Sequence, residues 1–284
     1  MFSFKLENEN GEVVNINDGE RYLIVPPISG LNPPTASIFT AKSPNRKGLK
    51  YNGSTLDERN IVLTIKLLGD VEKNRNELYK WIDTEQYCKV LYSNGVKNVY
   101  CEGHVEDCEI DFFTDNEVVS LAILCENPYW KDLQEISTQI ATTLNEFVFP
   151  FAIGAEGVPF STLNGSTQAN IYNAGAETGV RIVIRCKGDV ANLAIFNAKD
   201  ASKSFKLNTT LHENESVVID TESSPKTVIL TKEDGTTQNL LKYVNANPTW
   251  FTLKKGNNFF GFAADAGAED VDIAFEYTNK YLGV

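Results

Sequence analysis

Residues 58–68 read Glu58-Arg59-Asn60-Ile61-Val62-Leu63-Thr64-Ile65-Lys66-Leu67-Leu68, and this stretch decides the fold of the first half of the chain. Its apolar residues Ile61, Leu63, Ile65 and Leu67 recur at every second position, which is the period of a pleated strand. Apolar residues also occupy the other face, so we predict a strand with neighbours on both sides.

A helix is predicted directly after this strand. Gly69 breaks the strand, and the Asp70 carboxylate is placed to accept from the free N–H groups of a helix that begins at Val71 and runs to about Asp83. Its apolar stripe contains Val71, Leu78 and Ile82.

Three larger side chains border or cross this stripe, namely Arg75, Tyr79 and Trp81. Such margins either widen the contact with the chain's own sheet or contact a neighbouring subunit. They are therefore the candidate subunit-interface residues.

The rest of the first half is predicted to form short strands and turns. Tyr22–Val25 enters a proline-rich loop, residues 42–48 form a mobile loop or hairpin tip, and Tyr51–Gly53 forms a turn. The other predicted strands are Phe2–Leu6, Val13–Ile16, Ile38–Ala41, Lys89–Tyr92, Val99–Glu109 and Val118–Glu126. One helix on a meander of antiparallel strands is typical of an α+β domain.

The second half is predicted to be an antiparallel β-sandwich, so the chain as a whole is mainly β. Short apolar stretches recur between Gly, Asn, Asp and Pro residues. The predicted strands are Val180–Cys186, Leu193–Asn197, Ser204–Leu207, Ser216–Asp220, Thr227–Thr231, Trp250–Leu253, Asn258–Ala263 and Val271–Tyr277. Lys131–Asn145 is a polar connector, which divides the chain into domains of residues 1–145 and 146–284.

Composition limits the partners. The 284 residues carry a formal net charge of -12, which argues against stable nucleic-acid binding because such binders need a basic surface. No stretch has the length and hydrophobicity for membrane insertion, and no targeting signal opens the chain, so we expect synthesis and assembly in a cytoplasm. Five cysteines, an odd number, favour free thiols over structural disulfides.

The sequence suggests two kinds of metal site but predicts neither. Cys101, His104 and Cys108, with Cys88 and Cys125, hint at zinc, but Cys101 and His104 of one strand point to opposite faces. Two acidic clusters could bind calcium without matching its loop pattern, and a solvated acidic edge explains them better. They contain Glu106, Asp107, Glu109 and Asp111, and Asp265, Glu269, Asp270 and Asp272.

Catalytic and cofactor-binding residues are not predicted either. The chain has only two histidines, His104 and His212, and neither a nucleophile elbow nor a phosphate-binding glycine loop. Trp250 is the candidate glycan contact, because sugars stack on exposed aromatic rings, although a core position is the stronger interpretation. Tyr172, Tyr243 and Tyr281 are looser candidates, and Asp220 is expected to cap a turn.

The order of several short motifs resembles the phage distal tail protein family over nearly the whole chain. In the first half these are Asp57-Glu58-Arg59 before the strand, the Leu-containing helix, and the strand end Cys125-Glu126-Asn127-Pro128-Tyr129-Trp130. In the second half they are Phe147–Phe151, Gly157–Phe160, Ile171–Gly175, Val217–Thr221 and Trp250–Asn258.

The resemblance implies a structural protein at the distal end of a phage tail or tail-like particle, with a galectin-like or carbohydrate-module-like second domain. It implies a homohexameric ring of first domains between the tail tube protein and the tail-tip hub protein, with the tape measure protein and receptor-binding proteins as further partners. It implies neither an enzyme nor a cofactor. The alternative is an adhesion module that binds a host cell-wall glycan, and the two roles are compatible.

Overall fold

The computed structural model describes residues 2–43, 47–82, 85–112, 117–140 and 168–284. The chain forms two compact units: unit 1 contains Met1–Leu133 and Lys280–Val284, and unit 2 contains Gln134–Asn279. The predicted boundary at residues 145/146 and the motifs Phe147–Phe151 and Gly157–Phe160 lie outside the described residues. Of the predicted connector, residues 134–140 belong to unit 2 and include a strand.

The elements are numbered here in chain order. From residue 2 to 132 they are β1 (Ser3–Glu7), β2 (Val13–Asn15), β3 (Tyr22–Ser29), β4 (Ala36–Lys42), β5 (Leu49–Leu56), β6 (Arg59–Leu67), α1 (Val71–Tyr79), β7 (Tyr87–Ser93), β8 (Asn98–Ile110), β9 (Val118–Cys125) and β10 (Trp130–Asp132). From residue 136 onward they are β11 (Ile136–Ile140), β12 (Gln168–Asn173), β13 (Arg181–Cys186), β14 (Val190–Ala191), β15 (Ala194–Asn197), β16 (Asp200–Lys206), β17 (Thr210–Leu211), β18 (Ser216–Asp220), β19 (Thr227–Thr231), β20 (Thr237–Asn239), β21 (Gly256–Ala263), β22 (Val271–Tyr277) and β23 (Lys280–Tyr281).

Unit 1 is built on a nine-stranded sheet with the main order β2-β1-β7-β8-β9-β6-β3, to which β10 and β23 add at β8. The strand predicted from residues 58–68 is β6, and it pairs with β3 on one side and β9 on the other. Ile61, Leu63, Ile65 and Leu67 are all buried in the core of this unit. The period-two pattern therefore predicted the strand and its interior position correctly.

The helix α1 covers part of this core. The Asp70 side chain accepts from the backbone N–H of Lys73 at 3.2 Å, which confirms the predicted cap. Leu78 and Ile82 are buried against the sheet. The helix ends at Tyr79, which is earlier than predicted, and Asp83 lies outside the described residues.

Two predictions about the early loops were wrong. The strand β3 continues through Pro26 and Pro27, with an irregular register against β6 between Val25 and Ile28. Since proline lacks the N–H that a ladder needs, this irregularity lets the strand pass through both residues. Tyr51–Gly53 is not a turn, because these residues lie inside β5.

Unit 2 is the predicted β-sandwich. One sheet has the order β11-β22-β13-β18-β19-β20 and the other the order β12-β21-β15-β16. Side chains from both sheets, such as Ile184 and Phe262, share one buried core. The mainly β, antiparallel fold class is therefore confirmed.

One predicted strand of unit 2 is absent. Residues 250–253 have no ladder, and only Leu253 forms an isolated bridge, with Thr178. Phe251 and Leu253 are nevertheless buried in the core of unit 2. Asp220 caps a turn as predicted, accepting from the backbone N–H groups of Glu222 and Ser223 at 2.8 and 3.1 Å. Burial opposes its ionisation, but these hydrogen bonds still lower the pKa of Asp220.

Candidate assembly surface

The strands β4 and β5 form a separate two-stranded sheet, which we call the arm (residues 36–56). Every residue of β4 is exposed, and so is every residue of β5 except Gly53. A lone two-stranded hairpin is only marginally stable in water, and its outer edges leave N–H and C=O groups unpaired. The arm thus adds exposed strand edges to those of β2 and β3 at the margins of the larger sheet.

The arm also exposes large apolar side chains. Ile38 and Tyr51 are each 63% exposed, and the other exposed side chains of this kind are Phe39, Leu49 and Leu56. Tyr51 lies opposite Thr40, and Leu49 lies opposite Lys42. Because Thr40 and Lys42 are on the same face of β4 as Ile38, the side chains of Tyr51 and Leu49 share that face. Contiguous exposed apolar side chains are typical of a surface that binds another protein.

The tip of the arm is basic in an acidic protein. Residues 42–50 contain Lys42, Arg46, Lys47 and Lys50 and no acidic residue, whereas the whole chain has a net charge of -12. Residues 44–46 lie outside the described residues, but the lysine side chains on either side of them are exposed. The tip is therefore electrostatically complementary to an acidic surface such as that of a second copy.

The three helix residues predicted for an interface have different surroundings. The Arg75 guanidinium donates to Glu117 at 2.8 Å, with both side chains largely shielded, and it lies 5.2 Å from the ring centroid of Phe112. Trp81 is partly buried against the core of unit 1. Tyr79 is 40% exposed. Arg75 thus takes part in the packing of its own unit, and Tyr79 is the most accessible of the three.

All five cysteines are free thiols, and all except the partly buried Cys108 are buried. Cys101 is buried on β8, and His104 on the same strand is exposed on the opposite face. Burial raises the pKa of the Cys88 thiol to about 12. Within the described residues, no three His, Cys, Asp or Glu side chains are grouped closely enough to hold a metal ion.

Carboxylates of both acidic clusters contact nearby polar or basic side chains. Glu106 accepts from the side-chain amide of Asn60 at 2.6 Å. Asp272 pairs with Lys187 at 2.9 Å, and Asp265 accepts from the Asn192 amide at 2.9 Å. These are ordinary surface contacts of each unit.

Trp250 packs inside unit 2 more than it faces water. Its ring meets Phe205 edge-on with centroids 5.2 Å apart, and the Lys226 ammonium lies 5.5 Å from its centroid. The adjoining cleft, which includes Asn197, Thr252 and Lys254, has a volume of about 240 Å³. Ligand pockets commonly measure about 300–1,000 Å³, so this cleft is small for a glycan site.

Two family models match the chain. A siphovirus-type tail component, C-terminal domain, matches residues 173–281. A phage tail protein RIFT-related domain matches residues 9–125. The chain belongs to the phage distal tail protein family. A distal tail protein is a structural component of the virion tail at the baseplate hub, where it assembles with other tail components.

Solved structures share the fold of this distal tail protein. The SPP1 Dit protein, described as a paradigm of the hub adsorption apparatus in phages that infect Gram-positive bacteria, has a TM-score of 0.69 at 13% identity, covering 98% of this chain and 99% of its own. A chain of the phage P2 baseplate, in its activated conformation with Ca, has a TM-score of 0.54 at 10% identity and full coverage of both chains. No curated protein sequence matches. The alternative of an adhesion module is not favoured.

The sequence predicted the arm of this distal tail protein only in part. A mobile loop or hairpin tip was predicted at residues 42–48, but the exposure of both strands was not. The cationic run of residues 42–50, flanked by short apolar runs, is the signal that could have identified the arm.

No helix within the described ranges is long and apolar enough to span a membrane.

Proposed function

We propose that this distal tail protein forms a homohexameric ring through unit 1, with the arm of each copy bound to the next copy. The exposed arm is the observation that carries this proposal. A heterologous contact repeated around an axis closes into a ring and buries the same two patches on every subunit. Such a ring covers the strand edges and apolar side chains that each isolated chain leaves in water.

The ring joins the tail tube protein on one side to the tail-tip hub protein on the other. The tape measure protein and receptor-binding proteins are the further partners in this proposal. The family assignment supports these partners by class, and a ring between two assemblies needs two such surfaces. The chain is made and assembled in the host cytoplasm, and it acts as a scaffold without catalytic activity.

Tyr79 supplements the arm in this proposal. Its ring is accessible on the side of α1, so a neighbouring copy can bury it without disturbing the core. The basic tip of the arm steers association with an acidic neighbour, and this attraction weakens as salt rises.

The experiment compares the purified chain with a variant that carries Ile38→Asp and Tyr51→Asp. We expect rings with a central hole from the unaltered chain in negative-stain images, and a hexamer by light scattering. The variant should remain monomeric, because two carboxylates would be buried without partners in the contact. Its melting temperature should stay unchanged, since both positions are exposed in the monomer.

Val96→Asp is the matched control. Val96 is 90% exposed at the turn between β7 and β8, outside the arm. This variant should still form rings. A chain that stays monomeric at high concentration and forms no ring on tail particles would overturn the proposal, and so would an arm variant that still assembles.

A further inference from the structure

The last five residues of the sequence belong to unit 1 although the whole of unit 2 precedes them. Trp130 of β10 pairs with Tyr281 of β23, and Lys131 pairs with Lys280. The β10 strand in turn pairs with β8. Residues 280–284, which we call the latch, thus extend the sheet of the unit to which we assign the ring contact.

The latch makes side-chain and backbone contacts beyond this short ladder. The Tyr281 hydroxyl donates to Asp132 at 3.0 Å, and the Lys97 ammonium donates to the carbonyl of Gly283 at 3.1 Å. The N–H of Val284 donates to the carbonyl of Leu31 at 3.2 Å. The latch therefore contacts β10, the turn after β7 and the loop after β3.

Arg59 at the start of β6 holds the latch from inside the unit. Its side chain is 2% exposed and donates to four backbone carbonyls. These acceptors are Pro128 at 2.8 Å, Asn32 at 2.7 Å, Leu282 at 2.6 Å, and Gly30. Within the part of the chain that is described, no carboxylate forms an ion pair with this guanidinium.

A buried guanidinium with only carbonyl acceptors depends on each of them. Burial lowers the pKa of Arg59, the direction expected for a cation removed from water. Loss of the Leu282 carbonyl would leave a charged N–H group without its acceptor and admit water beside Trp130, which is fully buried. Removal of residues 282–284 therefore takes a hydrogen-bond acceptor from the buried Arg59 and does not merely shorten an edge strand.

Unit 2 is formed without the latch as far as its described residues show. The two sheets of its sandwich and its core come from residues between 134 and 279. Synthesis proceeds from residue 1 upward, so the first unit to begin is the last to be completed.

We propose that the latch is an assembly checkpoint, which lets unit 1 reach its ring-forming structure only after unit 2 has been synthesised. The checkpoint rests on the proposed ring. Its benefit follows from symmetry, because a single truncated copy would leave a defect in a closed ring. The local claim, that residues 282–284 complete unit 1, is independent of the ring.

The local claim is tested by hydrogen exchange on a chain that ends at Tyr281. All chains compared carry Ile38→Asp and Tyr51→Asp, so that they share one assembly state whether or not rings exist. In the shortened chain we expect the amides of β10 and of Leu31–Asn32 to exchange at least about tenfold faster, because local opening becomes easier. The amides of β13 in unit 2 should exchange as before.

Leu282→Ala is the matched control, since it keeps the backbone carbonyl that Arg59 uses and removes a side chain that is 37% exposed. It should exchange like the full chain. Equal protection of β10 in the shortened and full chains would overturn the proposal. Loss of protection in β13 as well would also overturn it, because unit 2 would then need the latch.

The assembly step is tested by mixing the shortened and full chains without the arm substitutions. We expect rings that contain only full chains, as read by mass spectrometry. Shortened chains within rings would overturn the checkpoint. If the full chain forms no ring, the proposed function fails while the exchange result still decides the local claim.

Discussion

The pairs β6–β9 and β4–β5 are both antiparallel, similar in length and belong to unit 1, but they differ in what covers them. In β6 and β9 every second side chain is buried in the core. In β4 and β5 apolar side chains such as Ile38 and Tyr51 face water. The first pair obtains its stability within the chain, and the second has no apolar cover among the described residues. In a structural protein of the baseplate hub, a covered strand pair can stabilise the subunit, and an exposed pair can contact another chain.

The largest effect should come from the covered pair. Leu63 is fully buried on β6 opposite Leu121 on β9. Leu63→Ala should lower the free energy of unfolding by roughly 2–5 kcal/mol, because the cavity loses packing contacts that the rigid sheet cannot restore. Urea denaturation measures this loss. Leu63→Met, which conserves volume, should cost less than about 1.5 kcal/mol, and an equal cost for both variants would contradict tight packing at this position.

An intermediate effect is expected at Arg75, which the sequence offered as a candidate interface residue and which the structure places beside Glu117. Arg75→Glu brings two carboxylates together in a partly shielded site. We expect unfolding to become easier by roughly 1–3 kcal/mol, measured by urea denaturation of the monomer. Lys73→Glu makes the same charge change on the exposed face of α1 and should alter stability by at most about 0.5 kcal/mol. If both variants change the free energy of unfolding by a similarly small amount, Arg75 is not needed for the packing of unit 1 and is again a candidate interface residue.

The sequence predicts elements whose pattern has a buried side. Ile61, Leu63, Ile65 and Leu67 alternate because one face of β6 meets the core, and Asp70 caps α1 through a local hydrogen bond. Both signals lie within a few residues of the feature they predict. The arm has no buried side, so its β5 residues Tyr51–Gly53 resembled a turn.

The latch could not be predicted for a different reason. Arg59 and the carbonyl of Leu282 are 223 residues apart in the chain. Every residue type has a backbone carbonyl, so the residue at position 282 does not reveal that it is an acceptor. An arginine at the start of an apolar strand was visible in the sequence, but neither its burial nor its acceptors were. Trp250–Leu253 shows the opposite error, because alternation was present and the ladder was not.

The smallest effect on monomer stability should come from the arm. Ile38→Ala removes as many carbon atoms as Leu63→Ala, but the Ile38 side chain is already in water, so the free energy of unfolding should change by at most about 0.5 kcal/mol. Urea denaturation of the monomer and light scattering of the assembled protein should therefore respond differently. We expect ring formation to require a higher protein concentration, because the buried contact between copies loses apolar area. Val96→Ala, another exposed apolar truncation, should change neither quantity. If Ile38→Ala destabilises the monomer as much as Leu63→Ala, the arm is packed within its own chain, and the contrast between the two strand pairs is wrong.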